Sequence, residues 1–269
     1  MRKARTISSL ISWLPIFIGS ILGLLAFTWP LFIPESDFFL LKPDSARFLA
    51  LFTAFLAILV ISIEISRGSL DSKIVALLGV LAALTAALRL VGAGAVGVEP
   101  MWFLLIIASY IFGSKFGFSL GVISMVVSAI ISGGIGPWLS FQMLAAGWIG
   151  LFAGLFSKKI SKRFEIIALI AIGVISSLLF GALMDLQLWP WIASTNTQLG
   201  FIAGAPLMEN FSRYLTFHLA TAMAWDIPRA ITTTAVLIGV SAKALLASLS
   251  RASIRMGLTS PSMVEKVNA

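Results

Sequence analysis

Asp226 and Arg229 stand in an otherwise apolar stretch and have the clearest potential for chemistry in this sequence. They are three positions apart, so on a helix they share one face and can form an ion pair. Charges inside an apolar helix are costly unless they pair or face a cavity. Two interpretations are open: a structural ion pair that fixes this helix to its neighbours, or a pair with one member facing a ligand. Trp225, just before the pair, either stacks on a heteroaromatic ligand or fills the core.

The turn at residues 133–138, between two strongly apolar segments, is a second candidate site. A break in a membrane helix is tolerated only where protein or a cavity covers it. Trp138 and Gln142 at this break predict a wall that contacts a planar, polar molecule. The next helix carries small residues that let another helix approach its backbone closely. These residues are Gly147, Gly150 and Gly154.

Several single side chains near helix ends complete the candidate set. Arg89 either faces a cavity or a partner, or extends its guanidinium to the membrane interface. Trp148 lies too deep for an interfacial belt, so it stacks on a ligand or fills the core, whereas Trp189 and Trp191 are predicted to belong to the belt. The predicted binding residues are Trp102, Trp138, Gln142, Trp148, Asp185, Trp225, Asp226, Arg89 and Arg229.

The sequence lacks the motifs on which an enzyme would depend. It has no GxxxxGK[ST], HExxH or GxSxG pattern and no Asp-rich pair of the kind that holds magnesium. Its zero cysteines exclude thiolate ligands and a cysteine nucleophile, and the single histidine, His218, is insufficient for a metal site. We therefore predict no catalytic residue, no metal and no cofactor.

Composition places these candidate residues in a membrane. Of the 269 residues, 59% are hydrophobic and only 11% are charged, whereas a soluble domain carries about 25% charged residues. The net charge of +8 comes from short loops, which the positive-inside rule explains better than a nucleic-acid partner. The lipid bilayer is therefore the predicted surrounding, and no nucleic acid is expected.

Apolar segments predict an all-α polytopic membrane protein with about eight transmembrane helices, since a span needs about 20 apolar residues. The predicted helices are 8–33, 48–65, 74–93, 101–113, 116–133, 141–157, 166–185 and 216–249. The last would reach about 51 Å at about 1.5 Å per residue, so Pro228 is expected to kink it. Residues 196–213 are predicted to form an outer loop that acts as a lid.

Charge gives the orientation and divides the chain. Basic residues cluster before the first span, after each even-numbered span and after the last one. Both termini are therefore expected in the cytoplasm, and the protein in the plasma membrane. We divide the chain into an accessory helix pair at 1–68, a six-helix core at 69–252 and a cytoplasmic tail at 253–269.

Small residues form a stripe along the first core helix. They are Gly79, Ala82, Ala83, Ala86 and Ala87. Such a stripe lets another helix pack closely. That helix belongs either to this chain or to a partner subunit.

Five features in fixed order now form a recognisable pattern. They are the Ala-rich helix at 74–93 and the segments 112–118, 136–143, 147–154 and 180–185. Residues 74–255, about two-thirds of the chain, resemble the substrate-binding S components of energy-coupling factor (ECF) vitamin transporters. Within that family the resemblance is to the branch associated with cobalamin or related large cofactors.

The resemblance implies six core helices, a ligand pocket at the extracellular end and no catalysis. It also implies a transmembrane coupling subunit, two cytoplasmic ATPases, docking through the small-residue stripe and toppling of the S component in the membrane. Two features depart from the pattern: the extra N-terminal helices, and Asp226 to Arg229 followed by three threonines where many relatives have a Gly–Asn pair. Transfer of ligand residues to this last helix is therefore in doubt.

Three other functions compete with this prediction. A stand-alone secondary transporter would need coupling charges near the membrane midplane, and Asp226 with Arg229 leaves that alternative open. A structural or assembly factor without a ligand would lack polar groups converging on an outer cavity. A lipid-modifying enzyme would need acids or histidines at the cytoplasmic interface, where this sequence has mainly Lys and Arg.

Overall fold

The computed structural model describes residues 2–32, 72–92, 95–157, 159–193, 197–239 and 242–257, with four single helical positions between 52 and 59. These residues form helices and connections without a β-strand, so the all-α prediction is confirmed. The helices are α1 Arg2–Phe32, α2 Ser72–Val91, α3 Met101–Phe112, α4 Ser114–Ser132, α5 Leu139–Leu155, α6 Glu165–Ile192, α7 Leu207–Thr221, α8 Met223–Gly239 and α9 Ala242–Arg255.

Four of the described helices are long and apolar enough to cross a membrane. They are Trp13–Leu31 within α1, Ser72–Val91, Ser114–Ser132 and Glu165–Ile192. The shorter apolar helices Met101–Phe112 and Leu139–Leu155 lie among them in sequence. This pattern agrees with a polytopic membrane protein. The predicted helix at 48–65 and most of the predicted cytoplasmic tail lie outside the described residues.

Glycines allow α4 and α5 to pack backbone against backbone. A Cβ added at Gly150 would collide with the carbonyl oxygen of Gly117, and one at Gly154 would collide with the backbone of Ser114. At Gly147 a Cβ would come within 2.9 Å of the Phe118 ring. The expected close approach to this glycine series is therefore confirmed, and α4 is the helix that makes it. This contact fixes the relative position of two helices that carry candidate site residues.

Helix α1 packs against the core through its aromatic and small residues. The Trp148 indole Nε1 donates a hydrogen bond of 2.9 Å to Ser20 Oγ. Phe27 packs edge-on against Phe141, with ring centroids 5.0 Å apart. On its other side α1 exposes large apolar side chains such as Phe17, which is 63% exposed. One N-terminal helix thus braces the core while its opposite face is suited to lipid.

The prediction of one continuous helix at 216–249 is wrong. Helical structure begins earlier, at Leu207, and is interrupted at Ala222 between α7 and α8. Residues 240–241, between α8 and α9, lie outside the described residues. Pro228 lies inside α8 and does not end it. The last seven residues of the predicted lid at 196–213 are therefore the start of α7. Mainly apolar residues continue across Ala222, so hydropathy alone gives no signal for the boundary between α7 and α8.

Helix α6 also extends beyond its predicted end at residue 185, to Ile192. Its last turns include Trp189, which is fully buried and donates a hydrogen bond of 2.6 Å to the carbonyl oxygen of Leu199. The prediction that Trp189 belongs to an interfacial belt is therefore wrong. Trp191 is 49% exposed and packs on Trp29 of α1, with ring centroids 5.8 Å apart.

Candidate functional site

Polar side chains from six helices and from the connection before α3 meet at one end of the helix bundle, where α2 and α4 end and α3 and α5 begin. They form two groups. The ionic chain consists of Asp185, His218, Asp226, Arg229 and Glu99. The arginine–amide cluster consists of Arg89, Ser128 and Gln142.

Arg229 is the centre of the ionic chain. Its Nη1 donates to Asp226 Oδ1 at 2.5 Å and to the carbonyl oxygen of Ser177, and its Nε donates to Glu99 Oε2 at 2.9 Å. Its guanidinium carbon also lies 5.2 Å from the centroid of the Phe180 ring. The side chains of Arg229 and Asp226 are only 6% and 1% exposed. The predicted pair of Asp226 and Arg229 therefore forms, and the Arg229 guanidinium is hydrogen-bonded to acceptors within this chain.

Glycines bring the partners of Arg229 within reach. A Cβ at Gly181 of α6 would collide with both carboxylate oxygens of Asp226. Gly97 has a φ of +65°, which favours glycine, and a Cβ there would collide with the carbonyl oxygen of Trp225. The connection before α3 can therefore lie directly on the start of α8. This close approach places Glu99 within hydrogen-bond distance of Arg229.

His218 extends the ionic chain from Asp226 to Asp185. Its Nδ1 is hydrogen-bonded to Asp185 Oδ2 at 3.0 Å, and its Nε2 lies 3.9 Å from Asp226 Oδ2. That Asp226 oxygen is buried without a hydrogen-bond partner among the described residues. The Tyr214 ring stacks on the imidazole, and its hydroxyl donates to the carbonyl oxygen of Ala182. The sequence had given His218 no definite role, because its partner Asp185 is 33 residues away.

The arginine–amide cluster joins α2, α4 and α5. Arg89 Nη1 donates to Ser128 Oγ at 2.7 Å, and Nη2 donates to Gln142 Oε1 at 3.1 Å. Ser128 is fully buried, and its hydroxyl donates to the carbonyl oxygen of Met125. Arg89 therefore points into the end of the core. The sequence analysis missed Ser128, because a serine in an apolar helix gives no signal until its partner is known.

The four predicted binding tryptophans occupy different surroundings. Trp102 is 1% exposed and donates through Nε1 to Glu99 Oε2 at 2.7 Å. Trp148 donates its indole hydrogen bond to Ser20 of α1. Trp138 and Trp225 are 45% and 49% exposed, so neither fills the core of the described chain. Of the exposed pair, Trp138 lies one helical turn before Gln142, whose N–H donates to the Trp138 carbonyl oxygen.

The small-residue stripe of α2 is divided by the fold. Ala82 and Ala86 are buried within the chain, at 1% and 0% exposure. Gly79, Ala83 and Ala87 are exposed, and a Cβ at Gly79 would meet no atom within 4 Å. One half of the stripe thus packs inside the chain, and the other half lies on its surface.

Residues 73–245, nearly two-thirds of the chain, match the family model of the ECF transporter substrate-specific component. The chain belongs to this family. The polar end of the bundle, the glycine contact between α4 and α5 and the α2 stripe all lie within the matched region. The family comprises the substrate-binding membrane subunits of transporters, so this chain is a membrane transport subunit rather than an enzyme. No protein with a curated description and no solved structure matches the chain.

Proposed function

We propose that this ECF substrate-specific component binds a vitamin-like micronutrient at the polar end of its core, and that this end faces the outside of the cell. The observation that carries the proposal is the convergence of Arg89, Ser128 and Gln142 from three helices beside the exposed Trp138. Polar groups of this kind orient a ligand, and an aromatic ring provides a stacking surface.

The ionic chain has a supporting role in this proposal. Arg229 is bound by two carboxylates and a backbone carbonyl, so it is best explained as a lock between α8, α6 and the connection before α3. We propose the same role for Asp226. Asp185 is 20% exposed, so we propose that this carboxylate remains accessible to a ligand.

The opposite end supports the proposed orientation. Lys115, predicted to lie on the cytoplasmic side, is 5.3 Å from the centroid of the Trp13 ring, where the membrane-length segment Trp13–Leu31 of α1 begins. A cytoplasmic N-terminus and a cytoplasmic Lys115 are therefore mutually consistent. With them at the inner face of the plasma membrane, Arg89 and Gln142 belong to the outer face.

Energy for import would come from other subunits. We propose that the exposed half of the α2 stripe, Gly79, Ala83 and Ala87, docks to a transmembrane coupling subunit that carries two cytoplasmic ATPases. Small residues on an exposed helical face let a partner helix approach closely. Ala82 and Ala86, which the sequence analysis included in this surface, are used within the chain.

Ligand binding is tested with protein purified in lipid nanodiscs. Native mass spectrometry would detect small molecules that remain bound, and a panel of labelled water-soluble vitamins, including corrinoids, would be tested for binding. One vitamin per chain is the expected result. Failure of the whole panel to bind, with no retained small molecule, would refute the proposal. Uptake by cells that lack the coupling subunit and ATPases would instead favour a stand-alone transporter.

Docking is tested with the double variant Ala83→Leu/Ala87→Leu. It should reduce co-purification with the coupling subunit and leave vitamin binding unchanged, because both residues are exposed in the isolated chain. Ala171→Leu on the exposed face of α6 is the matched control. Equal co-purification of the double variant and the control would show that this face does not dock.

A further inference from the structure

The two arginines at the polar end differ in the charge of their partners. Arg229 has two carboxylates within ion-pair distance, Asp226 and Glu99. The hydrogen bonds of Arg89 go to two neutral side chains, Ser128 and Gln142. No carboxylate of the described residues lies within ion-pair distance of Arg89. Glu99, the acid of the adjacent connection, already accepts hydrogen bonds from Trp102 and Arg229.

This difference is significant because of where Arg89 lies. It is the last charged residue of a membrane-length helix and is half-buried. A charge in such surroundings is costly until an opposite charge meets it. Snorkelling to lipid headgroups does not describe the side chain, because its Nη1 reaches the fully buried hydroxyl of Ser128.

The cluster presents donors to whatever approaches it. A guanidinium carries five N–H groups in a planar fork, and the two hydrogen bonds of Arg89 use two of them. Gln142 accepts through its carbonyl oxygen, so its amide N–H groups remain for a further acceptor. Ser128 donates to a backbone carbonyl and holds the fork in place. A carboxylate or phosphate matches such a fork in both geometry and charge.

We infer that the ligand of this transport subunit carries an anionic group, a carboxylate or a phosphate, and that Arg89 binds it with Gln142. This inference rests on the proposed function and adds to it the charge of the substrate. Trp138 is one helical turn before Gln142 and exposes its ring, so that ring is available to cover the planar part of the same molecule. A neutral or cationic vitamin would bring no anion within ion-pair distance of Arg89.

The test compares acidic vitamins with neutral counterparts that lack the anionic group. The protein is purified in nanodiscs of phosphatidylcholine, and binding is measured for nicotinate and nicotinamide, pantothenate and pantothenol, biotin and biotin amide, and pyridoxal phosphate and pyridoxal. We expect an acidic member to bind at least about 10-fold more tightly than its neutral counterpart, as for a charge-assisted hydrogen bond. The same acid should bind Arg89→Gln at least about 10-fold more weakly than it binds wild type.

Two further variants distinguish a loss of anion binding by Arg89 from a loss of affinity caused by unfolding. Arg89→Lys keeps the charge but loses the fork, so its affinity should be intermediate. Arg213→Gln removes another positive charge, one that pairs with Glu209 at the surface, and should bind as wild type does. Ligand-free melting temperatures of all variants show whether any loss of affinity comes from unfolding.

Each remaining outcome counts against the inference. Equal binding of acidic and neutral counterparts, or unchanged binding by Arg89→Gln, would overturn it and leave the proposed function intact. Failure of every compound to bind wild type would overturn both. Nanodiscs containing phosphatidylglycerol distinguish a lipid phosphate: if only this lipid is retained in an Arg89-dependent way, Arg89 holds a headgroup and the inference is wrong.

Discussion

Replacing Arg229 by glutamine should destabilise the fold far more than the same replacement at Arg213. Both arginines bind a glutamate, but the Arg229 side chain is 6% exposed, whereas Arg213 and its partner Glu209 are 22% and 45% exposed. Loss of Arg229 also leaves the buried Asp226 without an arginine, with only the His218 imidazole 3.9 Å away. Breaking a buried pair from one side costs about 3–5 kcal/mol, and an exposed pair contributes about 0.2–1 kcal/mol.

Thermal unfolding in detergent measures the difference. At about 2–4 °C per kcal/mol for a chain of this size, Arg229→Gln should lower Tm by about 6 °C or more. Arg213→Gln should lower it by less than about 4 °C. The double variant Asp226→Asn/Arg229→Gln should recover part of the loss, since it removes one of the two carboxylates left unpaired.

Two results would refute this reasoning. If Arg229→Gln and Arg213→Gln melt within about 2 °C of each other, the buried chain contributes no more than a surface pair. If the double variant melts lower than Arg229→Gln alone, the unpaired Asp226 is not the source of the cost. The physical account of α8 as a locked helix would then be wrong.

Two further predictions concern packing. Gly150→Ala should lower Tm, because its methyl group would collide with the Gly117 backbone. Gly79→Ala meets open space, so it should be neutral or stabilising by up to about 1 kcal/mol. Equal shifts in Tm for the two variants would contradict the backbone contact. Trp148→Phe removes the hydrogen bond to Ser20 and should cost about 1 kcal/mol. The same cost should not appear when Ser20→Ala is already present, and a double-mutant cycle of melting temperatures checks this.

The sequence predicted the features that depend on short-range pattern. The glycines of α5 are spaced at one helical turn, which directly encodes a close helix contact, and the structure makes that contact with α4. Asp226 and Arg229 are three positions apart, so their pairing followed from helix geometry alone. The helices from α2 to α5 begin and end within two or three residues of their predicted bounds.

Contacts between residues that are far apart in the sequence could not be predicted from short-range patterns. Glu99 lies 130 positions from Arg229, and Ser20 lies 128 positions from Trp148. A tryptophan in an apolar helix looks the same whether it faces a ligand or another helix of its own chain. Trp148 was therefore a binding candidate by sequence and is a contact of α1 by structure. The interruption at Ala222 was invisible for a related reason, since apolar residues continue across it.

A single oxygen atom, Oε2 of Glu99, restricts how a solute can reach the core. It accepts from Trp102 at the start of α3 and from Arg229 of α8, so it closes the seam between those two helices. Opening that seam would break both hydrogen bonds to this oxygen and leave Asp226 as the remaining carboxylate partner of Arg229. We therefore expect a solute to enter elsewhere, and the glycine-rich turn before α5, where Ile135 and Trp138 are exposed, is the candidate route.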